Sequence, residues 1–410
     1  MAEDQQHQNM GENNKVDFNS ENTLIQLLNS EVKIQHSQPA VAEGENHTST
    51  LKRVQIQVLQ EGVWQTRHFI LKEELSGSKG VGCRNIGMYD IELKMYKEVL
   101  PKMEKLIAKM ISIHEEPLWA HCIGHFNNTL VLEDLQVLGY QTVDRTNGLD
   151  YQHAALVMRG LAQFHAISVV LHDIGELKSA DFKNFVFDGR YEHLHDFITS
   201  GFQYLLRIAT QEWSPEWKDI IENVSHIPEI AVKKLQEITQ LQEGGFHVLN
   251  HGDTWVNNVM FKHNEGTPET IKFVDFQLSH FNSYAFDLHY MVNTSVSSEV
   301  LHHIDRLYEE YHYHLTSELA KLGRSDGPSL SEVFSELRRT EFFGLFTAIA
   351  VSPVILARQE LASPKDKSGY TLAELEQRKE DRYRTEEYTR RIQVILRCAQ
   401  HGGLFERLHT

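Results

Sequence analysis

Positive charge is in deficit in this 410-residue chain: 40 Lys and Arg stand against 57 Asp and Glu, a net charge of −17. Duplex nucleic acids are held mainly by lysines and arginines on phosphate, so no nucleic-acid partner is expected. A nucleotide is a different case, because a few local lysines and a divalent cation neutralise its phosphates. Cysteine is scarce, with three residues. Cys83, Cys122 and Cys398 lie far apart, with no CxxC and no Cys/His zinc spacing, which argues against a disulfide framework and for a reducing compartment. The longest apolar stretch, FFGLFTAIAVSPVILA at 342–357, contains Pro353 and falls short of the roughly 20 residues a membrane span needs. It reads as a buried helix that ends or kinks at the proline. The start, MAEDQQHQNMGENNK, has no apolar core of the secretory kind. The expectation is a cytoplasmic chain without a membrane partner. No extended heptad pattern is seen, so the expected state is a monomer.

Hydrophobic residues make up 41% of the chain, enough for two lobes with cores of their own. Residues 1–20 read as a flexible tail. ENTLIQLLNSEV then has helical spacing through Leu24, Leu27 and Leu28. LKRVQIQVL alternates through Val54, Ile56 and Val58, and GVWQTRHFILKEEL follows across a turn at Glu61 and Gly62, so the pair reads as a β-hairpin with Lys72 near its end. SGSKGVGCRNIG is glycine-rich but fits neither GxxxxGK[ST] nor GxGxxG, and reads as a connection. MYDIELKMYKEVLPKMEKL reads as a helix carrying Glu92. More strand-like runs lead to Glu133 and Asp134. Beyond them helices dominate, with strands FHVLN and TIKFVDFQLS embedded. The expected fold is α+β with two lobes, a nucleotide-binding lobe over 21–133 and a catalytic, acceptor-binding lobe over 134–410.

Between the two embedded strands lies LNHGDTWVNNVMF. Side chains such as His, Asp and Asn compete with regular backbone hydrogen bonding, so this is a loop. A plain polar turn would account for it alone. A second aspartate, Asp275, stands 22 positions beyond Asp253 at the end of TIKFV. If the two strands fold back as a hairpin, Asp253, Asn258 and Asp275 converge. Phosphoryl transfer needs such a set: one carboxylate to orient a hydroxyl and take its proton, and an amide oxygen and second carboxylate to hold magnesium. H-x-D-x-x-x-x-N followed by Asp-Phe at a strand end is the pattern of kinase catalytic loops. The same chemistry calls for a strand lysine on the ATP phosphates and a helix glutamate to hold it, and Lys72 and Glu92 stand in that order upstream. Glu133 to Leu135 lie where backbone groups would meet adenine.

VLEDL, LAQFHAIS, LNHGDTWVNNVMF and VDFQLS together resemble the ecdysteroid kinase-like family, a branch of the choline-kinase and aminoglycoside-phosphotransferase group with the protein-kinase-like fold. The likeness runs from about residue 22 to the C-terminus. It implies Asp253 as base, Asn258 and Asp275 as magnesium ligands, Lys72 on the ATP phosphates with Glu92 as its partner, and adenine contacts at Glu133 and Leu135. It further implies a phosphate-covering turn at GENHTST, with Ser49 supplying a hydroxyl, and a bracing role for His251 and Asp287. Only Gly44 is present in that turn. Gln277 replaces the glycine of a protein kinase's Asp-Phe-Gly and no A-P-E follows, which fits a small-molecule kinase. The implied acceptor is a small-molecule alcohol, an ecdysteroid or another steroid-like compound. An apolar acceptor pocket is placed among the helices of 171–245, near Trp213 and Trp217. Two other readings compete: a His/Asp metal hydrolase using some of the 24 histidines, such as His165, His172 or His195, and a kinase-fold binding protein without catalysis.

Overall fold

The structure, a computed structural model, describes residues 18–41, 49–75, 81–110, 116–183, 192–357, 361 and 370–408. Of the expected tail, residues 18–20 open the first helix and the rest lies outside the described residues. So do residues 42–48, which include Gly44 of the expected covering turn. Contacts group the chain into two compact units, one from residues up to Lys97 with Trp119–Tyr140, the other from Glu98–Leu118 with Gln141 onward. The single break expected at 133/134 is thus replaced by an exchange of short segments. Its cause is the helix Leu100–Met110, which packs on the long helix Tyr151–Asp173 of the second unit.

The first unit is built on an antiparallel sheet of order β1-β2-β3-β5-β4, from Val32–Pro39, Ser49–Gln60, Val63–Glu74, Cys122–Phe126 and Thr129–Glu133 in chain order. Val54, Ile56 and Val58 alternate inward as the sequence pattern requires, and meet Phe69, Leu71 and Val131 on the same face. Leu24 of α1 (Phe18–Leu28) closes that cluster. Close packing there depends on Gly124, since a Cβ would stand 2.2 Å from Leu27 Cδ1. Strand β1 escapes the sequence reading because it is an edge strand with one buried residue, Val32, and ends in Pro39. Prolines are tolerated at such an edge. Lys72 follows Leu71 and therefore points to the opposite face. The glycine-rich stretch, read as a connection, contains the short helix α2 (Val81–Ile86), and the single helix expected from Met88 is divided into α3 (Met88–Lys94), a π turn (Met95–Val99) and α4 (Leu100–Met110).

The second unit is mostly helical. Its spine is α5 (Tyr151–Asp173), capped by the Asp150 side chain accepting from His153 N. Helices α6 (Glu192–Glu212), α7 (Lys218–Ser225) and α8 (Ile227–Ile238) precede the embedded strands. After them come α9 (Ala285–Ser295), α10 (Ser298–Leu301), α11 (Ile304–Lys321) and α12 (Leu330–Phe346). A π turn (Thr347–Val351) leads into α13 (Ser352–Leu356), and α14 (Leu372–Asp381), α15 (Glu386–His401) and α16 (Leu404–Leu408) complete the order. The π turn stands immediately before Pro353, which lacks the N–H that a regular helix would use. Tyr151–Asp173 and Leu330–Leu356 are apolar enough, by length and composition, to cross a membrane, but 78% of each apolar window is buried in the protein.

The four embedded strands correct the expected hairpin. β6 (His247–Asn250) pairs with β9 (His280–Ser283), and β7 (Val259–Asn264) pairs with β8 (Thr267–Phe273). The chain therefore crosses from one ladder to the other through residues 251–258 and returns through 274–279. Two crossings between the same pair of ladders must run side by side, which brings the two aspartate-bearing segments together without a β6–β8 pairing. The two-residue turn of the β2–β3 hairpin has Glu61 at φ 51° and Gly62 at φ 79°. Both values are left-handed, as in a type I′ turn, where Asn-Gly is the favoured pair. Glu61→Asn is expected to stabilise the protein by about 0.5–1 kcal/mol in denaturant unfolding, by relieving the residue that adopts this conformation least readily.

Candidate active site

In the second unit the loop 251–258 is held by α9. Asp287 is fully buried, and its Oδ2 accepts the His251 N–H at 2.7 Å while Oδ1 accepts the Gly252 N–H at 2.8 Å. His165 Nε2 adds a third bond to Oδ2 at 3.1 Å. A carboxylate only accepts, so Nε2 carries the hydrogen and Nδ1 receives the Tyr311 hydroxyl at 2.9 Å. Burial pushes the Asp287 acid up, but His165, His251 and the Gly252 N–H outweigh it and hold the acid below its ordinary value. Thr254 Oγ1 donates to the Asp287 carbonyl at 3.0 Å, and Val256 N–H donates to Ser295 Oγ at 2.9 Å. One broad face of α9 thus serves as a template for the whole loop.

The return crossing is tied to the same loop. His251 Nε2 donates to the Val274 carbonyl at 3.0 Å, and Val274 N–H donates to the Asn258 carbonyl at 3.0 Å. The structure therefore places Asp275 one residue from a direct tether to Asn258. Asp275 has φ 70°, a left-handed conformation that aspartate tolerates better than most residues. Phe276 is buried against the His251 ring, 4.7 Å between centroids, and against Phe164 at 5.9 Å. Asn258 Nδ2 donates to both the carbonyl and Oδ2 of Asp253, each at 2.9 Å. Both partners are acceptors, which fixes the amide orientation and makes Oδ1 the atom Asn258 can offer a cation. A carboxamide oxygen and the Asp275 carboxylate are hard oxygen donors of the kind that magnesium takes.

In the first unit Lys72 and Glu92, both buried, meet as the sequence order suggested. Lys72 Nζ is 2.8 Å from Glu92 Oε1 and 2.7 Å from Oε2. At the end of β5, Glu133 donates its N–H to the His121 carbonyl at 2.9 Å. The Leu135 carbonyl accepts the N–H groups of Leu138 at 3.1 Å and Tyr140 at 3.0 Å. A base at this turn would therefore meet the Leu135 N–H rather than its carbonyl. Asp134, between them, is buried and paired with Arg53 Nε at 2.6 Å, while its Oδ1 accepts the Gln136 N–H at 3.2 Å. Ser49 is the first residue of β2, opposite Glu74.

A scan against family models matches residues 43–324 to the ecdysteroid kinase-like family. The chain belongs to the ecdysteroid kinase-like family. A search of curated proteins gives no match. Among solved structures, Plasmodium vivax ethanolamine kinase is similar at 13% identity, covering 82% of this chain and 79% of that one, with a TM-score of 0.37. The GDP complex of wild-type aminoglycoside 2′-phosphotransferase-IIIa is similar at 11% identity, covering 93% and 100%, with a TM-score of 0.42. The streptomycin–ATP–APH(2″)-IIa ternary complex is similar at 13% identity, covering 80% and 99%, with a TM-score of 0.38. The family match, not these distant likenesses, carries the assignment.

Of the tryptophans of the expected acceptor pocket, Trp217 is buried in a core cluster and Trp213 packs against it, 5.1 Å between ring centroids. Glu216 and Trp217 also line a cavity of about 750 Å³, and another of about 570 Å³ lies among residues such as His289, Val292, Tyr308 and Leu337; none of Asp253, Asn258 and Asp275 lines either. The histidines proposed for a hydrolase have packing roles: His165 braces Asp287, and His172 stacks on Phe281 at 4.6 Å. Among the described residues, no group of three or more His, Cys, Asp or Glu is placed to hold a metal ion. The residue that sequence reasoning passed over is Tyr290, whose hydroxyl donates to Asp253 Oδ1 at 2.7 Å. Its signal was present in FDLHY: Tyr290 stands three positions after Asp287, hence on the same helix face.

Gly252 has φ 86°, and a Cβ there would stand 2.0 Å from the Leu278 carbonyl oxygen. Gly252→Ala is expected to destabilise the protein by at least about 2 kcal/mol, since the left-handed backbone and the clash both have to be relieved. A denaturation midpoint equal to that of the unaltered protein would show that this loop does not need its observed shape.

Proposed function

We propose that this chain is an ATP-dependent phosphotransferase acting on a hydroxyl of a small organic molecule, an ecdysteroid or another steroid-like alcohol being the acceptor class that its family suggests. One observation carries the reading: Asn258 bonds Asp253, and its carbonyl accepts the N–H of Val274, the residue preceding Asp275, so the three oxygen-bearing groups of a phosphoryl-transfer site gather on two adjacent crossings. In this reading Asp253 orients the acceptor hydroxyl and takes its proton as the oxygen attacks the γ-phosphorus of ATP. The bond from that phosphorus to the bridging oxygen breaks, and ADP leaves. Asn258 Oδ1 and Asp275 would hold magnesium, which supplies positive charge to the phosphate oxygens when bound. Lys72, fixed by Glu92, would contact ATP phosphates. The Glu133 carbonyl and the Leu135 N–H would receive adenine, and Ser49 would offer its hydroxyl to a phosphate. Cytoplasmic localisation and a monomeric state belong to the same proposal.

The test is to incubate the protein with ATP, magnesium and a panel of steroid and other small alcohols, and to look for a phosphate mass increment on the acceptor. Asp253→Asn should lower transfer by about 10²–10⁴-fold while ATP binding, read by thermal shift, stays nearly intact. Equal turnover would falsify the assignment of the base. Asp275→Ala should act on the other half of the site and weaken the magnesium-dependent part of ATP binding. An unchanged magnesium requirement in that variant removes Asp275 from the ligand set.

A further inference from the structure

We infer that Tyr290 is a positioning residue for phosphoryl transfer, fixing the Asp253 carboxylate through its hydroxyl in the orientation that an acceptor needs. The inference rests on the reading of Asp253 as base and adds to it a residue outside the loop motif.

The observation is the 2.7 Å bond from Tyr290 Oη to Asp253 Oδ1, with Asn258 Nδ2 at 2.9 Å from Oδ2. One donor on each oxygen fixes the carboxylate plane, which a single donor would leave free to rotate. The tyrosine sits on a fixed support. Its ring packs against the main core cluster, and its own carbonyl accepts Thr294 Oγ1 at 2.6 Å. One turn earlier on the same helix, Asp287 holds the backbone of His251 and Gly252. At the helix C-terminal end, the buried Arg391 guanidinium donates to the Val296 carbonyl and, at 3.5 Å, to the Asn293 carbonyl, a cation where the helix dipole favours one. Helix α9 therefore grips the loop twice, by its backbone through Asp287 and by its proposed catalytic side chain through Tyr290.

The hydroxyl stays protonated, as a donor must. Burial, then the neighbouring Asp253 charge, pushes it well above the ordinary tyrosine value, with Asp287 and Asp275 acting in the same direction. A tyrosine in that state donates to Asp253 at any working pH and does not compete as a base. These three carboxylates are the charged neighbours that act on it.

Tyr290→Phe keeps the ring and removes the hydroxyl. With Mg·ATP and the acceptor that the alcohol panel identifies, kcat should fall about ten-fold, since a hydrogen bond to a charged group is lost and the base is less well oriented. KM for ATP should not change. KM for the acceptor should also stay nearly constant, and a fall in kcat confined to the chemical step is the readout that a purely structural role would not give. A thermal melt within a few degrees of the unaltered protein shows that the fold is retained. A kcat equal to that of the unaltered protein, or a loss expressed in KM for ATP and the acceptor instead of kcat, overturns the inference while leaving the phosphotransferase reading intact. An unaltered protein that transfers phosphate to no alcohol overturns that reading, and the inference falls with it.

Discussion

The Asp287 carboxylate is the group on which the shape of the loop 251–258 rests. Withdrawing a charged carboxylate from water costs several kcal/mol unless hydrogen bonds replace the lost solvent. Here two backbone N–H groups and the His165 ring replace it. The dependence runs both ways. Gly252 adopts φ 86° and so turns its N–H onto Asp287, and the charge holds the glycine there. The sign of the pH dependence follows. The folded-state acid is depressed below its ordinary value near 3.8, so the contribution is complete above that value and is lost as pH falls through the lower folded value. Across the neutral range this support does not titrate.

The first unit solves a similar problem with a different partner. Glu92 and Lys72 are both buried, and each neutralises the other at 2.7 Å. Removing either alone would strand a charge, which is far costlier than removing both. Such a pair places an amine at a fixed point on the sheet face opposite the apolar cluster of Phe69 and Leu71. Strand alternation achieves this with one residue: the apolar pattern of β3 buries position 71 on one side and therefore delivers position 72 to the other. Arg53 and Asp134 repeat the device between β2 and the turn after β5.

That same alternation is why much of this was legible beforehand. The β2–β3 hairpin, Lys72, Glu92 and the triplet Asp253, Asn258 and Asp275 all sit on short, strongly patterned segments. The pairing of the embedded strands was not legible, because β6 with its four residues carries too little pattern to choose between β8 and β9. The adjacency of Asp253 and Asp275 was nonetheless expected, for an incorrect reason: the loops cross between ladders rather than closing a hairpin. Strand β1 was hidden by its exposed edge. Tyr290 was hidden by the opposite condition. An aromatic on a buried helix reads as core, and only the position of Asp287 on that helix shows that its hydroxyl meets a loop 37 residues away.

Three acids in the two units show how partner choice sets what a carboxylate can do. Glu92 faces a lysine, so its charge is spent holding an amine. Asp287 faces backbone amides and a histidine, so its charge is spent holding a loop. The donors that α9 and the loop place on Asp253 are a phenol and a carboxamide, which are neutral. A neutral donor orients a carboxylate while lowering its basicity far less than an ammonium or guanidinium would. A base for an alcohol needs that combination, because orientation without residual basicity moves no proton and basicity without orientation does so rarely. The same arrangement explains why the strained backbone lies where it does. Asp275 at φ 70° and Gly252 at φ 86° occupy the two crossings and not the ladders, whose regular pairing and buried side chains supply the stability that holds such conformations in place.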